Sequence, residues 1–183
     1  KPASLGSSVG IMPVDNQIKF DAAVKDAFRY DERVLVEPRI YGREIECAVL
    51  GNGKPQASLP GEIITQHDDY YSYDAKYRDP QSAETQVPAK LAPDVAATIR
   101  EMAVKVFKVM NCSGMARVDF FVVNDTDVLV NEINTIPGFT NISMYPTMWE
   151  ANGLSYRDLL DKLIDLALER YRDQQSLIRI YRQ

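Results

Sequence analysis

Two carboxylates, an amide and a guanidinium stand around one short polar turn: Arg117, Asp119, Glu132 and Asn134. The runs from Met115 to Val123 and from Val128 to Asn134 read as two strands. With Asn124-Asp125-Thr126-Asp127 as the turn, Val123 faces Val128, Asp119 faces Glu132 and Arg117 faces Asn134. Side chains alternate along a strand, so all four share one face. Opposed side chains have Cβ atoms ~4.5–5.5 Å apart, and like charges that close are destabilising unless neutralised. A divalent cation would neutralise them. The oxygens are hard ligands suited to Mg²⁺, which takes one or two carboxylates plus substrate phosphates. The same residues also suit a solvent-facing polar hairpin with Arg117 as counter-ion. Spacing alone leaves both readings open, and an arginine in line with three oxygen ligands favours a nucleotide-phosphate site.

A second feature is Gly6-Ser7-Ser8-Val9-Gly10, whose small residues and free backbone N–H groups can cradle phosphate. No GK[ST] follows it, so it is no Walker A motif, and taken alone it reads better as an ordinary turn. His67 reads as an exposed loop residue and Trp149 as a packing residue. Cys47 and Cys112 lie far apart, in no CxxC, and read as small core residues.

These residues need elements to position them. Apolar spacing predicts helices over 20–30, 93–111 and 156–171, the last capped by Ser155 with Leu159, Leu160, Leu163, Ile164, Ala167 and Leu168 on one side. Val34–Glu37 is a short apolar run, and Glu44–Leu50 reads as a strand ended by Gly51-Asn52-Gly53. Residues 61–90 show no sustained period yet hold Tyr70, Tyr71, Tyr73 and Tyr77, which favours a functional lid. Pro137-Gly138 opens an irregular stretch to Trp149. Strand pairs alternating with helices give an α+β class.

The whole chain has 183 residues, enough for one domain or two small ones. Lys plus Arg total 21 and Asp plus Glu 26, a net charge of −5 that argues against a nucleic-acid partner. No apolar run approaches the roughly 18 residues of a membrane span, and no signal region opens the chain, so a cytoplasmic protein is expected. The chain starts at Lys1, without Met, on what reads as the middle of a motif, and a longer parent enzyme is expected.

With both features in view, the sequence resembles the D-alanine–D-alanine ligase family of the ATP-grasp fold. The stretches KPASLGSSVGI, VLVEPRIYGREIE, YDAKY, ARVDFF, NEINTIPGFT and SMYP carry the resemblance, in the family's order. It implies residues 1–60 as part of the central subdomain, 61–90 as lid and 91–183 as the C-terminal catalytic subdomain, with nucleotide held between two α+β subdomains. The implied cofactors are ATP and two Mg²⁺ ions, with Mn²⁺ as a substitute, and the implied parent is a homodimer that uses D-alanine. By the same resemblance Lys1 contacts phosphate, Gly6, Ser7 and Ser8 lie in the phosphate loop, and Glu37 accepts from the adenine amine. Backbone at Arg39 and Ile40 reads the adenine edge, Glu44 holds the ribose, and Lys76 reaches the terminal phosphates. Asp119, Glu132 and Asn134 match the metal ligands, Arg117 and the Gly138 N–H the transition-state donors, and Ser143 and Met144 the second substrate's carboxylate site. Ser7 and Tyr77 match a pair that ties the lid in D-alanine-specific members. The alternatives are a D-lactate or D-serine ligase, another ATP-grasp carboxylate–amine ligase, or a nucleotide-binding module without turnover.

Overall fold

The computed structural model describes residues 1–5, 10–65, 83–140 and 142–178. Two compact units divide the chain: Lys1–Tyr41 with Ile64–Glu84, and Gly42–Ile63 with Thr85–Gln183. In the first, helix α1 (Gln17–Ala27) starts three residues before the first apolar position of the pattern because Asn16 caps it, its side chain accepting from Lys19 N–H at 2.9 Å. The run at Val34 forms no strand. It makes a single bridge with Pro2, fixed by Leu35 N–H to Lys1 O at 2.8 Å and Ala3 N–H to Arg33 O at 3.0 Å.

The second unit is built on an antiparallel ladder. Strand β1 (Arg43–Gly51) pairs with β2 (Gln56–Ala57), β3 (Gly61–Thr65) and β5 (Gly114–Val123), and β5 pairs with β6 (Asp127–Asn134). With β4 (Ala83–Gln86) the sheet order is β4-β3-β1-β5-β6, β2 lying off this path against β1. Strands β3 and β4 correct the expectation of no regular structure in 61–90. They are too short for a period to emerge. The central part of the expected lid, 66–82, lies outside the described residues.

Helix α2 (Pro93–Val109) covers one face of the sheet. Pro93 occupies its first turn, where no N–H is needed, and Val95, Ile99, Ala103 and Phe107 are buried along one stripe. These meet Ile45, Cys47, Val49, Val118, Phe120 and Val122 in one core. Each fully buried large side chain contributes about 1.5–3 kcal/mol. The helix stops short of Asn111, which sits at φ 53°, a left-handed conformation that ends helices.

Part of the opposite face is covered by α3 (Met144–Ala151) and α4 (Tyr156–Ser176). Helix α3 corrects the irregular reading after Pro137. Met144, Tyr145, Met148 and Trp149 bury against Ala48 and Leu50, and Tyr145 donates to Val49 O at 2.9 Å. Ser155 caps α4 as expected, accepting from Asp158 N–H at 3.2 Å. The apolar side of α4 is only half covered: Leu159 is buried, and Leu163 and Leu166 pack beside it, while Leu160, Ile164 and Leu168 are exposed.

Both cysteines are free thiols. Cys47 is fully buried and Cys112 half-buried at the core's edge. Burial pushes the Cys47 thiol up to about 12, from near 9. The unfolded thiol ionises first, so this group's contribution holds below pH 9 and falls as pH rises towards 12. At neutral pH iodoacetamide is expected to alkylate Cys112 in the folded chain and both thiols after unfolding, read by mass spectrometry. Rapid native labelling of Cys47 would contradict this packing.

Candidate active site

The uncovered part of that second face is polar. Residues Glu46, Asp119 and Glu132 stand abreast on β1, β5 and β6, and Ala48, Arg117 and Asn134 form the next row. The small Ala48 leaves room for the arginine stem. The expected pairing of Asp119 with Glu132 and Arg117 with Asn134 holds. The expected turn does not: Val123 pairs with Asp127, not Val128, and the register shifts between Asp119 and Phe120. The loop is Asn124-Asp125-Thr126, with Asn124 at φ 51° and Asp125 at φ 59°. Between the Phe120–Val130 and Asp119–Glu132 pairs, Asn131 is the extra residue of a β-bulge. The bulge lets Val128 and Ile133 pack towards α2 while Glu132 and Asn134 turn to the polar face. The signal was present: apolar residues run at 128 and 130 and then at 133, a change of parity within one strand.

Arg117 grips Asp119 with two bonds, Nε to Oδ1 and Nη2 to Oδ2, each 2.7 Å. Its Nε also lies 3.2 Å from Glu46 Oε2. Asn134 Nδ2 donates to Asp119 Oδ2 at 2.9 Å and to Glu132 Oε1 at 3.3 Å. Burial works against the Arg117 charge, and the Asp119 hydrogen bonds with the charges of Glu46, Asp119 and Glu132 outweigh it, so its pKa lies above that of an ordinary arginine. Sequence reasoning missed Glu46, which is 5% exposed. The signal was Glu44-Ile45-Glu46: the acid two residues after Glu44 shares its face.

Among the described residues, Glu46, Asp119 and Glu132 against the Arg117 guanidinium leave these two rows net negative. The donors fit a hard cation, with oxygens from Asp119 and Glu132 and, once its amide turns over, Asn134 Oδ1. Among the described residues no three His, Cys, Asp or Glu side chains gather as a metal cage. A partial protein shell suits an ion that takes its other oxygens from substrate.

The chain after β6 continues the polar site. The position of a Cβ on Gly138 would lie 3.2 Å from Ser143 Oγ. Ser143 Oγ accepts from Thr140 N–H at 3.0 Å, and Ser143 is the N-cap of α3. The Met144 side chain is buried, so its available polar group is the first N–H of the helix, where unpaired donors favour a carboxylate.

Within the first unit, Lys1 Nζ pairs with Glu37 Oε2 at 2.6 Å, and Lys1, Ile11, Val34, Val36 and Glu37 line one open hollow. Arg39 stacks on the Tyr41 ring at 4.7 Å, and Ile40 is half-buried. In the second unit Glu44 is half-buried on β1, paired in register with Phe121 and Ile63. Gly6, Ser7, Ser8, His67, Lys76 and Tyr77 lie outside the described residues.

A second arginine braces the hairpin. Arg43 binds Glu62 with Nε at 2.8 Å and Nη2 at 2.7 Å, and reaches Asp125 Oδ1 at 3.1 Å and Lys90 O at 2.7 Å. The Glu62 hydrogen bonds, against the effect of burial, raise its pKa. Arg43→Met leaves Glu62 buried without its partner. Breaking a buried pair costs ~3–5 kcal/mol, and with Arg43 30% exposed about 2–3 kcal/mol is expected. Urea unfolding checks it, Glu62→Gln losing less.

An antiparallel sheet packed by helices, with acids and an arginine on its open face, has the α+β ATP-grasp architecture. The family model for the D-ala D-ala ligase C-terminus matches residues 1–165, and the chain belongs to that family. It is 63% identical over 181 residues to a D-alanine–D-alanine ligase of Coxiella burnetii, covering 99% of this chain and 48% of that protein. The solved D-alanine–D-alanine ligase from Coxiella burnetii superposes with TM-score 0.86 at 56% identity, covering 98% of this chain and 47% of its own. A solved D-Ala:D-Ser ligase from Enterococcus faecalis gives 0.81 at 40% identity, over 91% and 48%. The chain thus spans about half the length of these relatives. No helix among the described residues is long and apolar enough to cross a membrane.

Proposed function

We propose that this chain carries the catalytic face of a cytoplasmic D-alanine–D-alanine ligase, which uses ATP and Mg²⁺ to join two D-alanines for peptidoglycan precursor synthesis. The parent is a homodimer on this reading. The observation that carries it is the double row of Glu46, Asp119, Glu132 and Arg117, Asn134, an oxygen-rich face with one half-buried guanidinium. The identity to named ligases supports the reaction. A Bacillus anthracis D-alanine–D-alanine ligase solved in complex with ATP, 28% identical with TM-score 0.72, supports the nucleotide.

The chemistry is two displacements. The carboxylate of the first D-alanine attacks the γ-phosphorus of ATP, the bond to the bridging oxygen breaks, and ADP leaves. The amine of the second D-alanine attacks the resulting acyl phosphate at carbon, gives up a proton and expels inorganic phosphate. Bound Mg²⁺ supplies charge neutralisation on the phosphates. Asp119, Glu132 and Asn134 hold it. Two ions, and Mn²⁺ in their place, belong to the same proposal. Arg117 holds positive charge beside the transferring group, and the Gly138 N–H donates to the tetrahedral oxygen, since phosphoryl and acyl transfer are helped chiefly by preorganised charge. Ser143 Oγ and the Met144 N–H hold the second substrate's carboxylate. Lys1 releases Glu37 and turns to phosphate, Glu37 then accepting from the adenine amine. Backbone at Arg39 and Ile40 reads the adenine edge, and Glu44 binds the ribose. Gly6, Ser7, Ser8 and Lys76 serve the phosphates, and Tyr77 with Ser7 closes the lid that excludes water.

A D-serine second substrate is the competing reading, favoured by the likeness to the D-Ala:D-Ser ligase. Full-length protein given D-alanine, D-serine and D-lactate in competition with ATP at neutral pH is expected to yield chiefly D-alanyl-D-alanine, with one ADP per bond. Ester or D-alanyl-D-serine as main product overturns the D-alanine assignment, and no ATP-dependent ligation overturns the class.

A further inference from the structure

We infer that Glu46 is a positioning residue for Arg117: it keeps the guanidinium anchored when Asp119 turns to the cation, an inference that rests on the metal site proposed above. Asp119 sits in the middle of its row, with Glu46 on the β1 side and Glu132 on the β6 side. The cation donors Glu132 and Asn134 lie on one flank of Asp119 and the second carboxylate facing Arg117 on the other. Arg117 Nε is shared, 2.7 Å from Asp119 Oδ1 and 3.2 Å from Glu46 Oε2, while Nη2 donates to Asp119 Oδ2 at 2.7 Å.

A divalent cation draws the same Asp119 oxygens that Arg117 holds. Without another anion, arginine and cation compete for one carboxylate. Glu46 removes the competition. Its side chain is 7% exposed and fixed on a strand paired along its length with β5, so its carboxylate holds Nε while Nη1 and Nη2 swing clear towards the reacting oxygens. A strand in the middle of a sheet is a rigid base for such an anchor.

The inference makes Glu46 act through Arg117, and a double-mutant cycle isolates that. Mn²⁺ binding to full-length protein, followed by electron paramagnetic resonance with ADP present, is measured for wild type, Glu46→Gln, Arg117→Met and the double variant. Glu46→Gln is expected to weaken Mn²⁺ by about tenfold, the scale of one coupled charge pair, and to do nothing further once Arg117 is Met. An equal loss in both backgrounds makes Glu46 a direct electrostatic contributor and overturns the inference, as does no loss at all. Turnover is read beside it: Glu46→Gln is expected to lower kcat by about 10- to 10²-fold with KM for ATP nearly unchanged, the cost of a misplaced catalytic group. Glu46→Asp keeps the charge but withdraws it by one methylene, so it is expected to fall with Glu46→Gln. Wild-type kcat and Mn²⁺ affinity in Glu46→Asp overturn the inference even if Arg117→Met does not fold. If wild-type protein ligates nothing, the ligase reading fails, and the Mn²⁺ measurements still decide the role of Glu46.

Discussion

Arg117→Met in the full-length protein cuts turnover by about 10²-fold or more and leaves ATP affinity within a few-fold, the scale for losing one donor aimed at developing charge. Methionine keeps the aliphatic stem against Ala48 and removes only the guanidinium. The loss falls on kcat because Arg117 lies at the floor of the face, bound to Asp119 by two 2.7 Å contacts and beside Glu46. On the proposed function, it is placed to meet charge that develops during transfer. A loss under tenfold, measured by phosphate release at saturating substrate, would make Arg117 a counter-ion of the sheet and nothing more. Arg117→Lys keeps the charge but cannot form the paired contact, and it is expected to recover only a small part of the activity.

Asp119→Asn has a larger effect: turnover falls on the order of 10³-fold or more, the scale of removing a charge-neutralising partner from phosphoryl transfer. Asp119 serves two masters, the arginine on its own strand and the cation proposed between β5 and β6. Its amide loses both while occupying the same volume. Glu132→Gln is milder, because Glu132 is exposed and contacts only the Asn134 amide at 3.3 Å among the described residues. Raising Mg²⁺ restores part of the Glu132→Gln activity and little of the Asp119→Asn activity. Equal rescue of the two would contradict the central position of Asp119.

The site was legible where contacts are local. A hairpin brings residues together within one short stretch, so type and spacing sufficed to set Asp119 against Glu132 and Arg117 against Asn134. That register was reached through a wrong turn: the assumed four-residue loop displaced the strands by one, and the bulge at Asn131 displaces them back. Helix α2 and the Ser155 cap were legible for the same local reason, since a long apolar period and a capping hydroxyl both act within a few residues. Glu46 was legible only as an acid sharing the face of Glu44; its place opposite Asp119 depends on pairing between strands distant in sequence, which no local pattern encodes. Helix α3 was hidden by its short length, its Pro146 and an apolar content too uniform for a period. Its start, at Ser143, makes the Met144 N–H the first of the helix, where the proposed carboxylate contact would fall.

Diffraction at the manganese absorption edge from full-length protein crystallised with Mn²⁺ and ADP tests the cation site most directly. The expected map places an anomalous peak on the β5–β6 face, about 2.1 Å from oxygens of Asp119 and Glu132. Asn134 Oδ1 is turned towards it, and Arg117 is held by Glu46. A peak elsewhere with ADP bound, or Asp119 and Glu132 on opposite faces of the hairpin, would contradict it.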